Sequence, residues 1–436
     1  MPAIERLELG RTGRLSDQLV GMEIESPRTG DASDTFGIRV SGWTLGPEGV
    51  PDEIVAGAPG YGRRAIPVDQ PSPDIAARFP DVPGSDRCRW SAMVNTLDYP
   101  EAFEIRLRAF FRAEGEARAR LAEIRGRRRA LAPGYDARLQ PLLVTSLGRT
   151  GTTLLMRYLA EHPDVVVYRR YPYEARGGKY WLHMLRTLAA PADPSKQIGQ
   201  PNEFHQERLI VGANPFYSAA FAAYPEVDAW QGAEYVDALA GFCLRSIDAW
   251  YGRVAAHQGQ AGARFFAEKS FPDAFPRLFR ELYPGAREIF LVRDFRDMVT
   301  SMQAYNKRKG WGDFGREKAG NDDAWLEELK AGITNLRQGW NERRASSALV
   351  RYEEMLADPT TTLTTLFAAL DLDASPAMVA GVVTRASSPA PELAAHGTSE
   401  SAAASIGRWR RDLDEPAQAA AQAAFADLLL SFGYEV

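Results

Sequence analysis

A short apolar run, Pro141-Leu-Leu-Val-Thr145, opens directly into Ser146-Leu-Gly-Arg-Thr-Gly-Thr-Thr153 and then into a helical stretch carrying Leu154, Leu155, Tyr158 and Leu159. This strand, glycine turn and helix constrain the fold more than any other segment, because they are one unit of an alternating α/β chain. Gly148 and Gly151 let backbone N–H groups turn toward an anion, and the helix N-terminus adds its partial positive charge. Thr152 and Thr153 supply hydroxyl donors and Arg149 a fixed cation. A nucleoside-triphosphate loop would read Gly-x-x-x-x-Gly-Lys-Ser/Thr, and both the gap and the Gly-Lys pair are missing. Taken alone, the segment could also be a plain Gly/Thr turn capping a helix.

The alternation continues. Glu288-Ile-Phe-Leu-Val292 reads as a buried strand leading into a helix from about Asp297, and Leu349-Val-Arg-Tyr352 as another. Between them Trp325, Leu329, Ile333, Leu336 and Trp340 fall on one helical stripe, and Pro416 to Phe432 forms an Ala-rich amphipathic helix. Strands alternating with helices predict a P-loop-like parallel sheet flanked by helices, with ligands at the strand C-termini.

The first hundred or so residues follow a different rule. Phe103-Glu-Ile-Arg-Leu-Arg-Ala-Phe-Phe111 alternates apolar and polar positions, Phe36–Trp43 and Val20–Ile24 do so more weakly, and clusters such as Ser26-Pro-Arg-Thr-Gly-Asp separate them. A small all-β sandwich is expected. Residues 113–129, rich in Ala, Glu and Arg, predict a charged helix, with Arg125-Gly-Arg-Arg-Arg129 as its solvated end. The expected organisation is a β-sandwich accessory domain over 1–112, a helical linker over 113–136 and a catalytic α/β domain over 137–436.

A chain of 436 residues suits two domains, and its 45% apolar and 25% charged content is that of a globular protein. The formal charge of −5 argues against general nucleic-acid or anionic-membrane binding, so an anionic substrate must meet a local cluster of cations. Two distant cysteines, Cys88 and Cys243, and five histidines without metal-ligand spacing predict neither a disulfide framework nor a metal centre. The charged N-terminus and the lack of any long apolar run predict a cytoplasmic chain with no transmembrane segment.

The loop around Gly148–Thr153 resembles the 5′-phosphosulfate loop of sulfotransferases that use 3′-phosphoadenosine-5′-phosphosulfate (PAPS), usually Pro-Lys/Arg-Ser/Thr-Gly-Thr-Thr, with Gly148 in place of the common proline. Glu288 to Ser301 is similar to the family's 3′-phosphate segment, a strand ending in Arg (Arg293) followed by a helix carrying Ser (Ser301) eight residues later. Phe295 stands where that segment often has proline. Phe266-Ala-Glu-Lys-Ser-Phe-Pro-Asp273 and Leu282-Tyr-Pro-Gly-Ala286 look like stretches of the bacterial and Golgi-type members, and Val350-Arg-Tyr-Glu-Glu-Met-Leu356 like a structural Tyr-Glu segment. Ser405-Ile-Gly-Arg-Trp-Arg410 resembles the late loop that closes over the 3′-phosphate and adenine. The resemblance spans Leu139 to the end of the chain, in the family's order.

The resemblance implies PAPS as donor, PAP as product and no metal. It places Gly148, Arg149, Thr150, Gly151, Thr152 and Thr153 at the 5′-phosphate, and Arg293, Ser301, Gly407, Arg408 and Trp409 at the 3′-phosphate and adenine, Trp409 either stacking or merely packing. Sulfo transfer needs an in-line nucleophile, cations on the sulfonate and leaving phosphate, and a general base. Arg149 is assigned to the bridging oxygen and Lys269 to the sulfonate, an ion pair with Glu268 being its other reading. Glu174 is the expected base, its other reading a pairing with Arg170 or Arg176. His183, His205 and His396 are alternatives, and His162 is expected to cap a helix C-terminus. The acceptor is a hydroxyl or amine, of a glycan or glycoconjugate by analogy with β-modules attached to glycan-modifying transferases. Tyr173, Tyr180, Trp181, Phe204, Phe216 and Tyr217 could form a sugar or aryl platform, or core. Competing assignments are a P-loop nucleotide kinase or phosphotransferase, and a non-catalytic PAP-binding module.

Overall fold

The computed structural model describes residues 2–11, 18–58, 61, 63–111, 117–189, 225–230, 234–310, 314–316, 321–388, 398–399 and 401–436. These divide into two compact units, one comprising Met1–Tyr135 with Tyr180–Leu244, the other Asp136–Lys179 with Arg245–Val436.

The first unit is all-β over its N-terminal part. Strands β1 (Ile4–Arg11), β2 (Gly21–Ser26), β3 (Gly37–Leu45), β4 (Glu53–Gly57), β5 (Arg63–Ile66), β6 (Arg89–Asn95), β7 (Ala102–Phe111) and β8 (Ala117–Arg128) form two antiparallel sheets, with α1 (Pro73–Arg78) between β5 and β6. The larger has the order β1-β8-β7-β4-β5 and the smaller β2-β3-β6. In β7, Phe103, Ile105, Leu107 and Ala109 are buried and the residues between them are not, as the period of two requires. Trp90, Val40, Ile105, Leu121 and Ile124 meet in the core that both sheets share.

Within the described part of the expected helix over 113–129, Ala117–Arg128 is instead β8, paired with β1 on one side and β7 on the other. Ala and Arg favour a helix in isolation, but Ala119, Leu121 and Ile124 bury into the sandwich core only from an extended chain. Two strand partners override local propensity. The basic run is likewise no solvated helix end, since Arg128 is buried and donates to the carbonyls of Thr96 and Tyr99 at 3.1 and 2.9 Å.

The second unit is the predicted parallel sheet. Its strands are β9 (Gln140–Thr145), β10 (Val165–Val166), β11 (Phe265–Ser270), β12 (Arg287–Val292) and β13 (Ser347–Arg351), in the order β10-β11-β9-β12-β13. Helices α2 (Thr152–Ala160), α6 (Phe275–Leu282), α7 (Phe295–Lys309), α8 (Asp322–Arg343), α9 (Tyr352–Ala357), α10 (Pro359–Ala369), α11 (Pro376–Ala386) and a last helix over Glu415–Ser431 belong to this unit, α4 (Pro225–Trp230) belongs to the first, and α3 (Gly177–Leu188) and α5 (Val236–His257) each contribute residues to both. Alternate side chains of β12 serve the two faces: Ile289 and Leu291 pack with α2, α10 and α11, while Phe290 and Val292 pack with α7, α8 and the last helix. The stripe read from sequence on α8 lies in this second core, with Trp325, Leu329, Ile333 and Leu336 buried and Trp340 packed against them.

Candidate functional site

Strand β9 is flanked by β11 on one side and β12 on the other, so the chain leaving its C-terminus enters the crevice where strand order reverses. The turn that follows is braced from within. Ser146 Oγ donates to the Leu291 carbonyl at 2.5 Å and lies 2.6 Å from Thr150 Oγ1, which donates to the Leu147 carbonyl at 3.0 Å. Thr150, expected at the donor phosphate, therefore turns its side chain inward and can offer the crevice only its backbone. Arg149 and Gly151 both have positive φ, 66° and 93°. A Cβ on Gly151 would collide with the Tyr352 ring, so glycine is needed there for both conformation and space. Helix α2 starts at Thr152 with no side-chain cap, leaving its first amides without intrahelical partners and directed at the crevice.

One side of this turn gathers cations. Arg293 leaves β12 with only 4% of its surface exposed. It donates through Nη1 to the Arg149 carbonyl at 3.1 Å and through Nη2 to the Ser405 carbonyl at 2.6 Å, with its guanidinium 4.7 Å from the Tyr352 ring centroid. Its Nε is buried and has no hydrogen-bond partner among the described residues. A buried charged donor without an acceptor is costly unless a ligand completes it, so this atom fits an anion bound in the crevice. Arg149 folds over the Tyr305 ring at 4.7 Å and donates from Nε to Ser301 Oγ at 3.2 Å. Burial, and the neighbouring Arg293, push the Arg149 pKa down. Ser301 lies in turn 3.3 Å from Thr398 Oγ1, and Arg408 donates to the Thr398 carbonyl at 2.9 Å while pairing with Asp412 at 2.7 Å. The four side chains thus form one cluster built from the β9–α2 turn, β12, α7 and the Gly407 turn.

The Gly407 turn is held by a residue that motif reading missed. Asp297, fully buried, accepts from the Gly407 N–H at 2.7 Å and the Trp409 N–H at 2.9 Å. The Trp409 ring is buried between the guanidinium groups of Arg296 and Arg410, 4.2 and 4.4 Å from its centroid, so it packs rather than stacks on a ligand. Glu353 fixes the other end of this region, accepting from the Asp294 N–H at 3.0 Å and from Tyr434 at 2.8 Å.

The opposite side of the turn carries Lys269, at the end of β11 and only 5% exposed. Its Nζ donates to Thr153 Oγ1 at 2.9 Å, the Pro172 carbonyl at 2.7 Å and Glu174 Oε1 at 3.1 Å. Burial lowers its pKa and Glu174 opposes that shift. The pairing of Lys269 with Glu268 is not formed, because neighbours on a strand point to opposite faces. Glu268 instead accepts from the N–H groups of Gly178 and Lys179 and from the Tyr251 hydroxyl, anchoring the start of α3 from behind. Burial raises the Glu268 carboxyl above its usual range and the Tyr251 phenol with it. Glu174, half exposed, has Lys269 as its close partner, with Arg176 at 4.0 Å.

The histidines stand apart from this arrangement. His162 is buried: Nδ1 accepts from the Asp164 N–H at 3.2 Å, which leaves Nε2 to donate to the Asp373 carbonyl at 3.3 Å. It thus joins two turns rather than capping α2 with a charge, and burial lowers its pKa. His183 is exposed on α3. His205 and His396, with Phe204, Phe216 and Tyr217, lie outside the described residues. Of the other named aromatics, Tyr173 packs on the core of the second unit, while Trp181 contacts Tyr180 and Phe242 edge-on within the first.

A glycine turn feeding a helix at the switch point of a parallel sheet, with buried arginines on one side and a Lys–Glu pair on the other, is suited to holding an anionic group. The sequence matches the sulfotransferase family model over residues 141–376, more than half of the chain, and the chain belongs to that family. No curated protein sequence matches it. Among solved structures, a Mycobacterium avium sulfotransferase is 13% identical with a TM-score of 0.33, over 69% of this chain and 78% of its own. A mouse sulfotransferase complexed with PAP is 12% identical, TM-score 0.36, over 68% and 87%. A retinol dehydratase in complex with androsterone and inactive cofactor PAP is 11% identical, TM-score 0.36, over 77% and 91%. The family match, not these distant alignments, carries the assignment.

Proposed function

We propose that this enzyme transfers the sulfo group of PAPS to an acceptor hydroxyl or amine, with Glu174 as general base. The observation that supports this most is Lys269, whose Nζ reaches both Thr153 Oγ1 at the phosphate turn and Glu174 Oε1. One ammonium thereby sits between the expected place of the sulfonate and the carboxylate that would take the acceptor proton. As the acceptor oxygen or nitrogen bonds to sulfur, its proton passes to Glu174. The S–O bond to the 5′-phosphate breaks with its electron pair left on the phosphate oxygen, facing Arg149 and the free amides of α2. Lys269 stabilises charge on the sulfonate oxygens. Arg293, Ser301 and Arg408 hold the 3′-phosphate, the unpartnered Nε of Arg293 providing one donor.

The domain assignment follows from the same reading: residues 137–436 carry the chemistry and the N-terminal β-module is accessory, its presence favouring a glycan or glycoconjugate acceptor. No described helix is long and apolar enough to cross a membrane. Both cysteines are free and buried, which accords with a reducing, cytoplasmic setting.

Calorimetric titration with PAP, against ATP and AMP with and without magnesium, tests the donor site. Metal-independent binding of PAP is expected, and magnesium-dependent binding of ATP without PAP would sink the assignment in favour of a kinase. Glu174→Gln should keep PAP affinity and lower sulfo transfer from PAPS about 10²–10⁴-fold. Unchanged turnover would move the base elsewhere.

A further inference from the structure

Beside Glu174 stands a cation, Arg176, with no part in the proposed sulfo transfer. Arg176 approaches Glu174 Oε2 only to 4.0 Å, beyond hydrogen-bond distance, and the other carboxylate oxygen of Glu174 is already taken by Lys269. Its Nε is buried and has no partner among the described residues. The guanidinium lies over the Phe271 ring, 4.9 Å from the centroid, and Phe271 is 42% exposed at the end of β11, two residues from Lys269. The neighbouring Lys179, its Nζ 5.7 Å from the same ring centroid, differs in pairing with a carboxylate, Asp273 at 2.6 Å. Arg176 thus lies over an aromatic ring beside Glu174, with an Nε that has no partner among the described residues.

An arginine lying over an aromatic ring, with an unpartnered Nε, suits a planar oxyanion. We infer that Arg176 and Phe271 form an acceptor subsite for an anionic group, a carboxylate or sulfate, carried by the acceptor next to the hydroxyl or amine that faces Glu174. The Phe271 ring offers a flat apolar surface to the acceptor skeleton, and Arg176 fixes the direction from which the nucleophile enters. The inference rests on the sulfotransferase reading above and narrows it to acidic acceptors. A second sulfonate cation would have a different signature, lowering turnover equally for every acceptor.

The test titrates the PAP-loaded protein with matched pairs: a heparosan tetrasaccharide against its carboxyl-reduced form, and 4-hydroxybenzoate against 4-hydroxybenzamide. The acidic member of at least one pair should bind about tenfold tighter or more, the worth of one charge-assisted contact. Arg176→Gln should erase that preference, Arg176→Lys should retain part of it, and neither should change PAP affinity. In turnover with PAPS, Arg176→Gln should raise KM for the acidic acceptor and leave kcat within a few fold. Equal affinity within both pairs, or no binding of either acidic member, overturns the subsite while PAP binding keeps the donor reading intact. Failure of the wild-type protein to bind PAP would instead overturn the donor reading itself.

Discussion

The two sides of the crevice are built in opposite ways. On the donor side Arg293, Ser301 and Arg408 are each at most 6% exposed, and they come from three separate elements tied together through Thr398, Ser405 and Asp297. On the acceptor side Glu174 is half exposed, on a strap between β10 and α3 held by Lys269 from one direction and by Glu268 from the other. Buried hydrogen bonds among separate elements fix the first side, and a few bonds to one half-exposed strap fix the second. A 3′-phosphate has one shape and can be met by a rigid cage, whereas an acceptor must enter and leave past the strap. Changes on the donor side should therefore cost PAP binding, and changes on the acceptor side should spare it.

The largest effect expected is at Arg293. Arg293→Ala removes two donated hydrogen bonds within the protein and the unpartnered Nε, and should weaken PAP binding by about 3 kcal/mol, on the order of a hundredfold. Calorimetry alongside Glu174→Gln reads the contrast directly. If the two variants weaken PAP binding equally, the division between a binding side and a chemical side is wrong.

The same division explains what was legible in the sequence. The residues proposed for the donor side stood out because phosphate recognition would demand particular residue types at fixed distances from strand ends, and the structure brings Arg149, Arg293 and Ser301 together. Asp297 escaped because its partners are backbone N–H groups more than a hundred residues away, which no local pattern displays. Lys269 and Glu174 were both singled out, but their pairing could not be foreseen, since it depends on how the strap returns across β11. Glu268 seemed the nearer partner for Lys269 in sequence, and the pleat sends it to the other face. The strand β8 was misread for a related reason: two neighbouring strands decide its conformation, and neither lies within its own residues.

The next effect concerns what holds the strap. Glu268→Ala leaves the Tyr251 hydroxyl and the N–H groups of Gly178 and Lys179 buried without their acceptor, and should lower stability by about 2 kcal/mol. As a positioning residue, Glu268 should also lower turnover through Glu174 while PAP affinity stays within a few fold. Glu268→Gln keeps an acceptor oxygen and should recover most of both losses. Thermal unfolding with PAP titration checks this, and a loss of PAP binding matching the loss of turnover would contradict the separation of the two sides.

The smallest effect lies at Asp297, where the donor side depends on a buried carboxylate. Burial raises its pKa above 3.8, opposed by the Trp409 N–H, Arg293 and the Gly407 N–H. The folded state thus holds this proton more tightly than the unfolded chain does. Its contribution to stability is greatest below pH 3.8 and declines as pH rises through the raised value. Asp297→Asn removes that decline, so the stability of the variant relative to wild type should improve with rising pH across this window. At neutral pH the amide oxygen still accepts one of the two N–H groups, and the Gly407 turn should loosen by about 1 kcal/mol, seen as a several-fold weaker affinity for PAP. Chemical denaturation at stepped pH reads the slope and calorimetry the affinity. An unchanged slope with weakened PAP binding would mean that Asp297 serves the donor side through geometry alone, its charge being balanced equally in the folded and unfolded chains.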